Sequence, residues 1–457
     1  MKNNKNNSID SKGESYNFRT QPWRQFKKNK SAYFSLYIVL SLFIVALLSP
    51  FLANHQPLMV TVYNQNLYPA FTTFFNESKV DTITYHDAAG EERLQVIQYN
   101  EMDWRSVKKE FVIWAPIPYS ANYSDKYNRD FSSPMGDQRY RDSKGNITKI
   151  PGRLRHFLGT DKLGRDLAAG IVYGSRISLL VGIFSMLIAA LIGIPLGAFA
   201  GYYGNEEIQV KRLQFWFGLI GLCIGLFIAF VGRSYDLKIA FDEGIGSGFL
   251  MLLAHILIPI ACLIIFSFLG KKLAFGRFLS SKVNVPIDAL VSRSIEVLNS
   301  LPALILIITI AAVINERSIS VLVFIIGFTS WTGIARFMRA ELLKIKQMEY
   351  IQTAKALGYS NSRIIFGHAL PNGIAPVFIT IAFGIASAIL VESGLSFLGI
   401  GVPDDVVTWG NLLSLGREEF EASWLVIFPG LAIFITVTAY NLIGEGLRNA
   451  LDPKQNN

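Results

Sequence analysis

Cysteine is nearly absent from this 457-residue chain: Cys223 and Cys262 are its two, and both fall inside apolar runs. So small a number excludes a disulfide framework, and the pair reads as small apolar packing residues. The histidines, His55, His86, His156, His255 and His368, are scattered, so no His/Cys cluster has metal-site spacing. No G-x-x-x-x-G-K-[ST] loop is present to cradle nucleotide phosphates, and no G-x-S-x-G elbow presents a nucleophile. The chain therefore reads as having neither a catalytic constellation nor a cofactor of its own. Charge is scarce too, at 17% of residues against about 25% in globular chains.

Apolar sequence fills the space. Hydrophobic residues make up 51% of the chain, its mean hydropathy is +0.35, and several runs reach the roughly 20 residues that cross a bilayer. Spans are expected near 33–53, 178–201, 213–232, 249–269, 296–315, 319–338, 373–396 and 424–446. This is the pattern of an all-α polytopic membrane protein with about eight spans. The first span has no small-residue cleavage site and reads as a retained signal-anchor. Before it, Met1 to Asp10 has no apolar pattern and is expected to be disordered.

The net charge of +9 reports topology rather than a nucleic-acid partner. Lys27, Lys28 and Lys30 precede the first span, and Lys271 and Lys272 follow the fourth. Arg336, Arg339, Lys344, Lys346, Lys355 and Arg363 gather between the sixth and seventh. Alternate loops are balanced or acidic, as in 397–423 with Asp404, Asp405, Glu419 and Glu421. The positive-inside rule then places both termini in the cytoplasm.

Residues 54–155 fall outside by the same logic. Apolar alternation at 58–63 and 94–99 fits strands, so a β-rich extracytoplasmic insert with a thin core is expected. From His156 onward, Thr160 or Asp161 can N-cap a helix with Leu163, Leu167 and Ile171 on one side. Such a helix either lies in the outer interface or serves as a connector. Gly182, Gly193, Gly197 and Gly201 give the second span small-residue spacing for close helix packing. Segment 284–302 is amphipathic, Pro302 fits a bend, and Arg293 and Glu296 are spaced to pair.

The polar stretch 340–371 is too elaborate for a connector. Ile351, Ala354 and Leu357 make a weakly apolar helix face, Gly358 suits a left-handed stop, and Ser360 can cap a second helix carrying Ile364, Ile365 and His368. Periodicity leaves two readings open: a helix offered to a soluble partner's groove, or one lying on lipid headgroups. Glu392, in a small-residue neighbourhood at the outer end of a span, is a candidate for pathway or gating. Hydrogen bonding to the following loop is the alternative.

These motifs resemble a known family. The positions Gln352, Thr353, Ala354, Gly358, Leu370 and Pro371 are similar to the "EAA" coupling motif of ABC-importer permeases, with Gln352 and Thr353 standing for Glu and Ala. The surrounding Tyr350-x-x-x-Ala354-x-Ala356-Leu357-Gly358 and His368-x-Leu370-Pro371-Asn372 resemble the dipeptide/oligopeptide branch. So do Leu158-Gly-Thr-Asp161, Gly164-Arg-Asp166, Gly201-Tyr-Tyr-Gly204, the run from Glu392 to Gly401, Thr408-Trp-Gly410 and the run from Asn441 to Pro453. Trp114-Ala-Pro-Ile-Pro-Tyr-Ser120 is similar to the longer Yej-type permeases, linked to oligopeptide and microcin C uptake.

The resemblance implies a type I ABC importer (MetI-like) transmembrane domain in a bacterial inner membrane. It implies a cytoplasmic tail 1–32, a first helix 33–53, the insert 54–155, and an interfacial helix and second span over 156–204. An inserted transmembrane hairpin 205–283, absent from the family pattern, precedes a core 284–446 with coupling loop 340–371 and a cytoplasmic tail 447–457. Implied partners are a homologous second permease, two ATPase subunits that bind ATP and Mg, an extracytoplasmic substrate-binding protein and membrane lipid. Gln352, Thr353, Ala354, Ala356, Leu357, Gly358, His368, Leu370 and Pro371 are the expected ATPase-coupling residues, with Glu392, Ser393 and Asn441 at the pathway or gate. The expected cargo is a di- or oligopeptide. Other cargoes (a nickel chelate, a microcin-like antibiotic) and a non-transporting scaffold or sensor are the alternatives.

Overall fold

A computed structural model describes residues 21–451, except for 77–78, 87–91, 100–101, 103, 106–109, 142–145, 234, 237–238, 241–244, 315–316 and 418. The segment Met1–Asp10 and the end of the C-terminal tail, 452–457, lie outside the described residues. Among the described residues six helices are long and apolar enough to cross a membrane. In chain order the helices are α1 (Gln21–Lys28), α2 (Lys30–Leu52), α3 (Pro69–Phe75), α4 (Leu167–Tyr203), α5 (Arg212–Phe227), α6 (Ile245–Leu273), α7 (Gly276–Leu279) and α8 (Ile287–Asn299). They continue as α9 (Ala303–Ile314), α10 (Ile319–Lys346), α11 (Glu349–Ala356), α12 (Asn361–Ile364), α13 (Leu370–Gly373), α14 (Val377–Phe397), α15 (Trp409–Leu415) and α16 (Trp424–Leu451).

The expected span 296–315 is not one helix. Helices α8 and α9 meet at a bend of 86° around the Leu301-Pro302 break, an apolar pair with the form of a broken span or a re-entrant loop. Pro302 lacks the N–H that would continue α8 and restricts the residue before it. The expected span at 213–232 is the shorter apolar helix α5, extended by a π-helical turn over Ile228–Gly232.

The core is built on the contact between α4 and α10. A methyl on Gly193 would lie 2.7 Å from the Trp331 carbonyl oxygen, and one on Gly201 would lie 2.5 Å from that of Arg339. Gly197 meets the Ala335 carbonyl in the same way. Rows spaced by four on both helices thus run backbone on backbone, which only glycine permits on the α4 side. Ser185 Oγ donates to the Val323 carbonyl across the same seam (3.1 Å).

The inserted hairpin packs chiefly on itself. Gly221 and Gly225 of α5 lie against Cys262 and Pro259 of α6, and a short antiparallel ribbon, Gln209–Lys211 with Lys282–Asn284, closes its base. His255 accepts structural work there, bonding the Met251 and Arg233 carbonyls. Both cysteines are free thiols.

The insert after α2 is β-rich, as the alternation suggests. Strand β1 (Met59–Val62) sits between β2 (Gln65–Leu67) and β5 (Phe111–Ile113), all antiparallel. Hairpins β3 (Val80–His86) with β4 (Glu92–Gln98) and β6 (Arg139–Arg141) with β7 (Ile147–Lys149) complete it. Its own core is thin: Val60, Val62, Ile97, Tyr99 and Trp104.

No helix is capped by Thr160 or Asp161, so the expected interfacial helix is corrected to a stapled loop. Gly159 and Gly164 adopt φ of +84° and +79°, and the Asp161 carboxylate accepts from the Leu163 and Arg165 backbone N–H groups. The cap is Asp166, whose Oδ1 accepts from Ala169 N (2.7 Å), and α4 then runs unbroken for 37 residues.

Candidate functional site

The stretch from α11 to α13 folds as two short helices around a glycine stop. Gly358 takes φ +78°. Its N–H donates to the Lys355 carbonyl (2.9 Å), and the Tyr359 N–H donates to that of Ala354 (3.1 Å). That pair of bonds is the Schellman closure, which needs a left-handed residue at this position. Ser360 then caps α12 through Arg363 N, and a π turn at Ile365–Ala369 leads to α13.

One side of this element is fused to the chain. Ile351, Ala354, Ile364, Ile365 and Ala369 are buried in the main core cluster with Met338 and Leu342, and Leu370 packs against it half-buried. Ala354, expected on the docking face, is therefore an anchor, because its position in the turn points it at the core. The other side is open. Gln352, Thr353, Ala356, Gly358 and Pro371 are exposed. Leu357 is 69% and Phe366 60% exposed, an unusual apolar display on a polar element. His368 is half-buried and its ring stacks on that of Tyr359 at 6.1 Å.

The two departures from the family motif have local explanations. The Gln352 amide donates to the Lys346 carbonyl at the end of α10 (2.8 Å), a bond that a carboxylate could not make. Thr353 Oγ1 donates to the Glu349 carbonyl (2.9 Å). Both side chains bind their own chain.

Residues missed in the sequence tie this element to the spans. Glu207, just past α4, holds Lys346 (2.7 Å) and Lys355 (3.2 Å). Tyr202 Oη donates to Asn361 Oδ1 (3.1 Å), while the Lys355 ammonium lies 5.2 Å from the Tyr202 ring centroid. One layer up, Arg339 of α10 is bidentate to Asp288 of α8, with Nη2 to Oδ2 at 2.8 Å. The available signal was the acids Glu207 (beside Glu206) and Asp288, in segments that also carry Lys211, Arg212, Lys271, Lys272, Arg277 and Lys282.

Of the pathway candidates, Glu392 and Ser393 are buried together and Asn441 is apart. Glu392 is fully enclosed and accepts from the hydroxyls of Ser178 (3.2 Å), Ser396 (2.9 Å) and Ser393 (3.4 Å). Asn441 is exposed on α16. Because Gly444 packs on Phe383, Asn441 lies about 9 Å along the axis from the Glu392 level.

A second polar knot sits outside the spans. His156 is buried, its Nδ1 2.8 Å from Asp166 Oδ2 and its Nε2 3.3 Å from Asp125 Oδ2, with the Tyr119 ring stacked on it at 4.0 Å. Burial pulls the imidazole pKa down, but the bonds to Asp125 and Asp166 outweigh it and leave it raised. Burial likewise pushes Asp125 up, and the bonds from His156, Tyr127 N and Asn128 outweigh it, leaving the carboxyl below its ordinary range. Among the described residues no group of three or more His, Cys, Asp or Glu is placed to hold a metal ion.

The sequence is similar to those of known proteins. Residues 272–457 match the family described as "Binding-protein-dependent transport system inner membrane component". Residues 18–70 match the "N-terminal TM domain of oligopeptide transport permease C". The chain is 32% identical over 300 residues to the dipeptide transport system permease protein DppC of Alkalihalophilus pseudofirmus, covering 65% of this chain and 72% of that one. It is 30% identical over 300 residues to the glutathione transport system permease protein GsiD of Pectobacterium atrosepticum, covering 65% and 73%. To the peptidoglycan transport system permease protein YejE of Agrobacterium fabrum it is 25% identical over 443 residues, covering 95% and 92%. With its glycine-stopped double helix, its bent pair and its closely packed spans, the chain belongs to the family of binding-protein-dependent transport system inner membrane components.

Proposed function

We propose that this chain is one permease subunit of an ATP-driven importer of peptides, with residues 349–373 as the seat of an ATPase subunit. The observation that carries the reading is two-sidedness: Leu357 and Phe366 are exposed on an element whose opposite face is buried in the core. An apolar tip on a rigid mount fits a groove on a soluble partner. The partners in this reading are a homologous second permease, two ATPases that hold ATP and Mg, and an extracytoplasmic binding protein, with both termini cytoplasmic. The relatives' names, dipeptide, glutathione and peptidoglycan transport, support a cargo of peptide character.

Closure of the ATPase pair would move the double helix. Glu207, Lys346, Lys355 and the Tyr202–Asn361 bond would pass that motion to α4, and the Arg339–Asp288 fork would carry it between α10 and α8. The spans then shift between two orientations whose populations nucleotide sets. The test is purification of the tagged chain with its genomic neighbours, followed by peptide uptake into proteoliposomes. Recovery of an ATPase and a sister permease with ATP-dependent peptide uptake is expected. A chain that purifies alone and supports no uptake would contradict the reading.

A further inference from the structure

A groove between α2, α14 and α16 has no occupant within the chain. Its volume is about 610 Å³, and its walls include Leu36, Phe43, Phe378, Ile385, Tyr440 and Leu447. On α16 the lining runs from Tyr440 to Leu451, and on α14 from Phe378 to Ile385, with Ala375 just before that helix. At 1.5 Å per residue the α16 wall is about 16 Å long, half of the roughly 30 Å hydrocarbon core. The groove is therefore one leaflet deep.

Its mouth is basic. Helix α1 folds back across the end of α16, with Phe26 and Ala32 against Gly446, and Phe26 clusters with the groove residues Leu36, Ile443 and Leu447. Arg24, Lys27 and Lys28 on α1, Lys30 at the start of α2 and Arg448 near the end of α16 are all exposed. Among the described residues none of these cations has an ion pair. Lys27 lies over the exposed ring of Trp23, 5.2 Å from its centroid, and a tryptophan beside lysines is the composition of a headgroup-level anchor.

We propose that this groove binds one acyl chain of an anionic membrane phospholipid, with the headgroup phosphate held by Lys28, Lys30 and Arg448. The depth of the groove matches a single leaflet, and its charged end is where the headgroup would lie. A zwitterionic lipid would fill the groove but leave the cluster without a net countercharge. Positive-inside topology accounts for cations on this side, but not for their position at the end of a leaflet-deep apolar slot.

The test uses the assembled complex, purified in detergent, delipidated and titrated with phosphatidylglycerol or phosphatidylcholine under native mass spectrometry. One phosphatidylglycerol should be retained per copy of this chain, in preference to phosphatidylcholine. The triple variant Lys28→Gln, Lys30→Gln, Arg448→Gln should weaken phosphatidylglycerol binding about a hundredfold, with each cation contributing about fivefold. Leu40→Trp, filling the groove from an exposed wall position, should exclude the lipid while the cations remain. Equal binding of the two lipids, or wild-type binding by both variants, would overturn the proposal. So would efficient crosslinking of Phe378→Cys to the sister permease, which would assign the groove to a protein neighbour.

Discussion

Lys355 on the exposed double helix reaches Glu207 at the foot of α4, Nζ to Oε1 at 3.2 Å. The same carboxylate oxygen holds Lys346 at the end of α10 (2.7 Å). One acid thus joins three parts of the chain that must move together if the double helix drives the spans. The pairs are about a quarter exposed, so their direct contribution to stability is about 1 kcal/mol or less. Replacing Glu207 by Gln should therefore leave the melting temperature nearly unchanged while cutting ATP-driven uptake about fivefold or more. A variant with full uptake would remove Glu207 from the transmission path.

Gly358 separates shape from contact. Its left-handed φ and its N–H bond to Lys355 are both required for the stop. A methyl there meets nothing within 4 Å, so Gly358→Ala should cost only the left-handed penalty, about 1 kcal/mol, and keep most uptake. Gly358→Pro loses the donor and cannot reach positive φ. It should insert and assemble with the sister permease but abolish coupled uptake, as read by ATPase stimulation in proteoliposomes.

Glu392 tests whether a buried acid in a span serves the pathway or the packing. Three serine hydroxyls converge on it, from α4 and from its own helix. Glu392→Ala would leave them without that acceptor at a cost of about 1–3 kcal/mol, seen as a lower melting temperature. Glu392→Gln retains an acceptor and should keep most uptake. If Glu392→Gln stayed as stable as wild type yet lost transport, the acid would belong to the pathway.

The polar knot at His156 carries a pH dependence of defined sign. His156 has a raised folded pKa, so its contribution is complete below the unfolded value of about 6.5 and is lost as pH rises through the folded one. Asp125 is depressed, so its contribution is present above its ordinary range and fades only as pH falls through the folded value. The facing groups are Asp125, Asp166 and Tyr119, with Arg105 over the Tyr119 ring. Hydrogen exchange at Asp125 and Asp161–Asp166, corrected for intrinsic rate, should speed up as pH rises above about 6.5. His156→Gln should flatten that rise; an unchanged profile would show that the knot does not titrate.

Much of the membrane architecture was legible because apolar length and glycine spacing report directly on spans and their seams. Gly193, Gly197 and Gly201 announced a close neighbour, and α10 is that neighbour. The stop at Gly358 and the cap at Ser360 were readable because each is a local backbone requirement. What was not legible depends on contacts between distant parts of the chain. Thr160 and Asp161 look like helix caps in isolation, yet the bonds of Thr160 to Asn128 and Ser132 and of Asp161 to Arg165 make them loop staples. Ala354 looked exposed because its face could not be assigned before α10 was placed behind it. Glu207, Asp288 and Asp125 lie 31 to 148 residues from the side chains they meet, beyond the reach of any local pattern.

If the open face of the double helix receives an ATPase, a cysteine at Leu357 lies within crosslinking reach of that subunit. With Cys223 and Cys262 replaced by serine, Leu357→Cys in the assembled complex should crosslink to an ATPase subunit in high yield, and the yield should change with nucleotide. A control cysteine at the exposed Leu163, in the loop before α4, should give no such product. Failure of the Leu357 cysteine to reach any ATPase in a complex that still transports would show that the open face is not the ATPase seat.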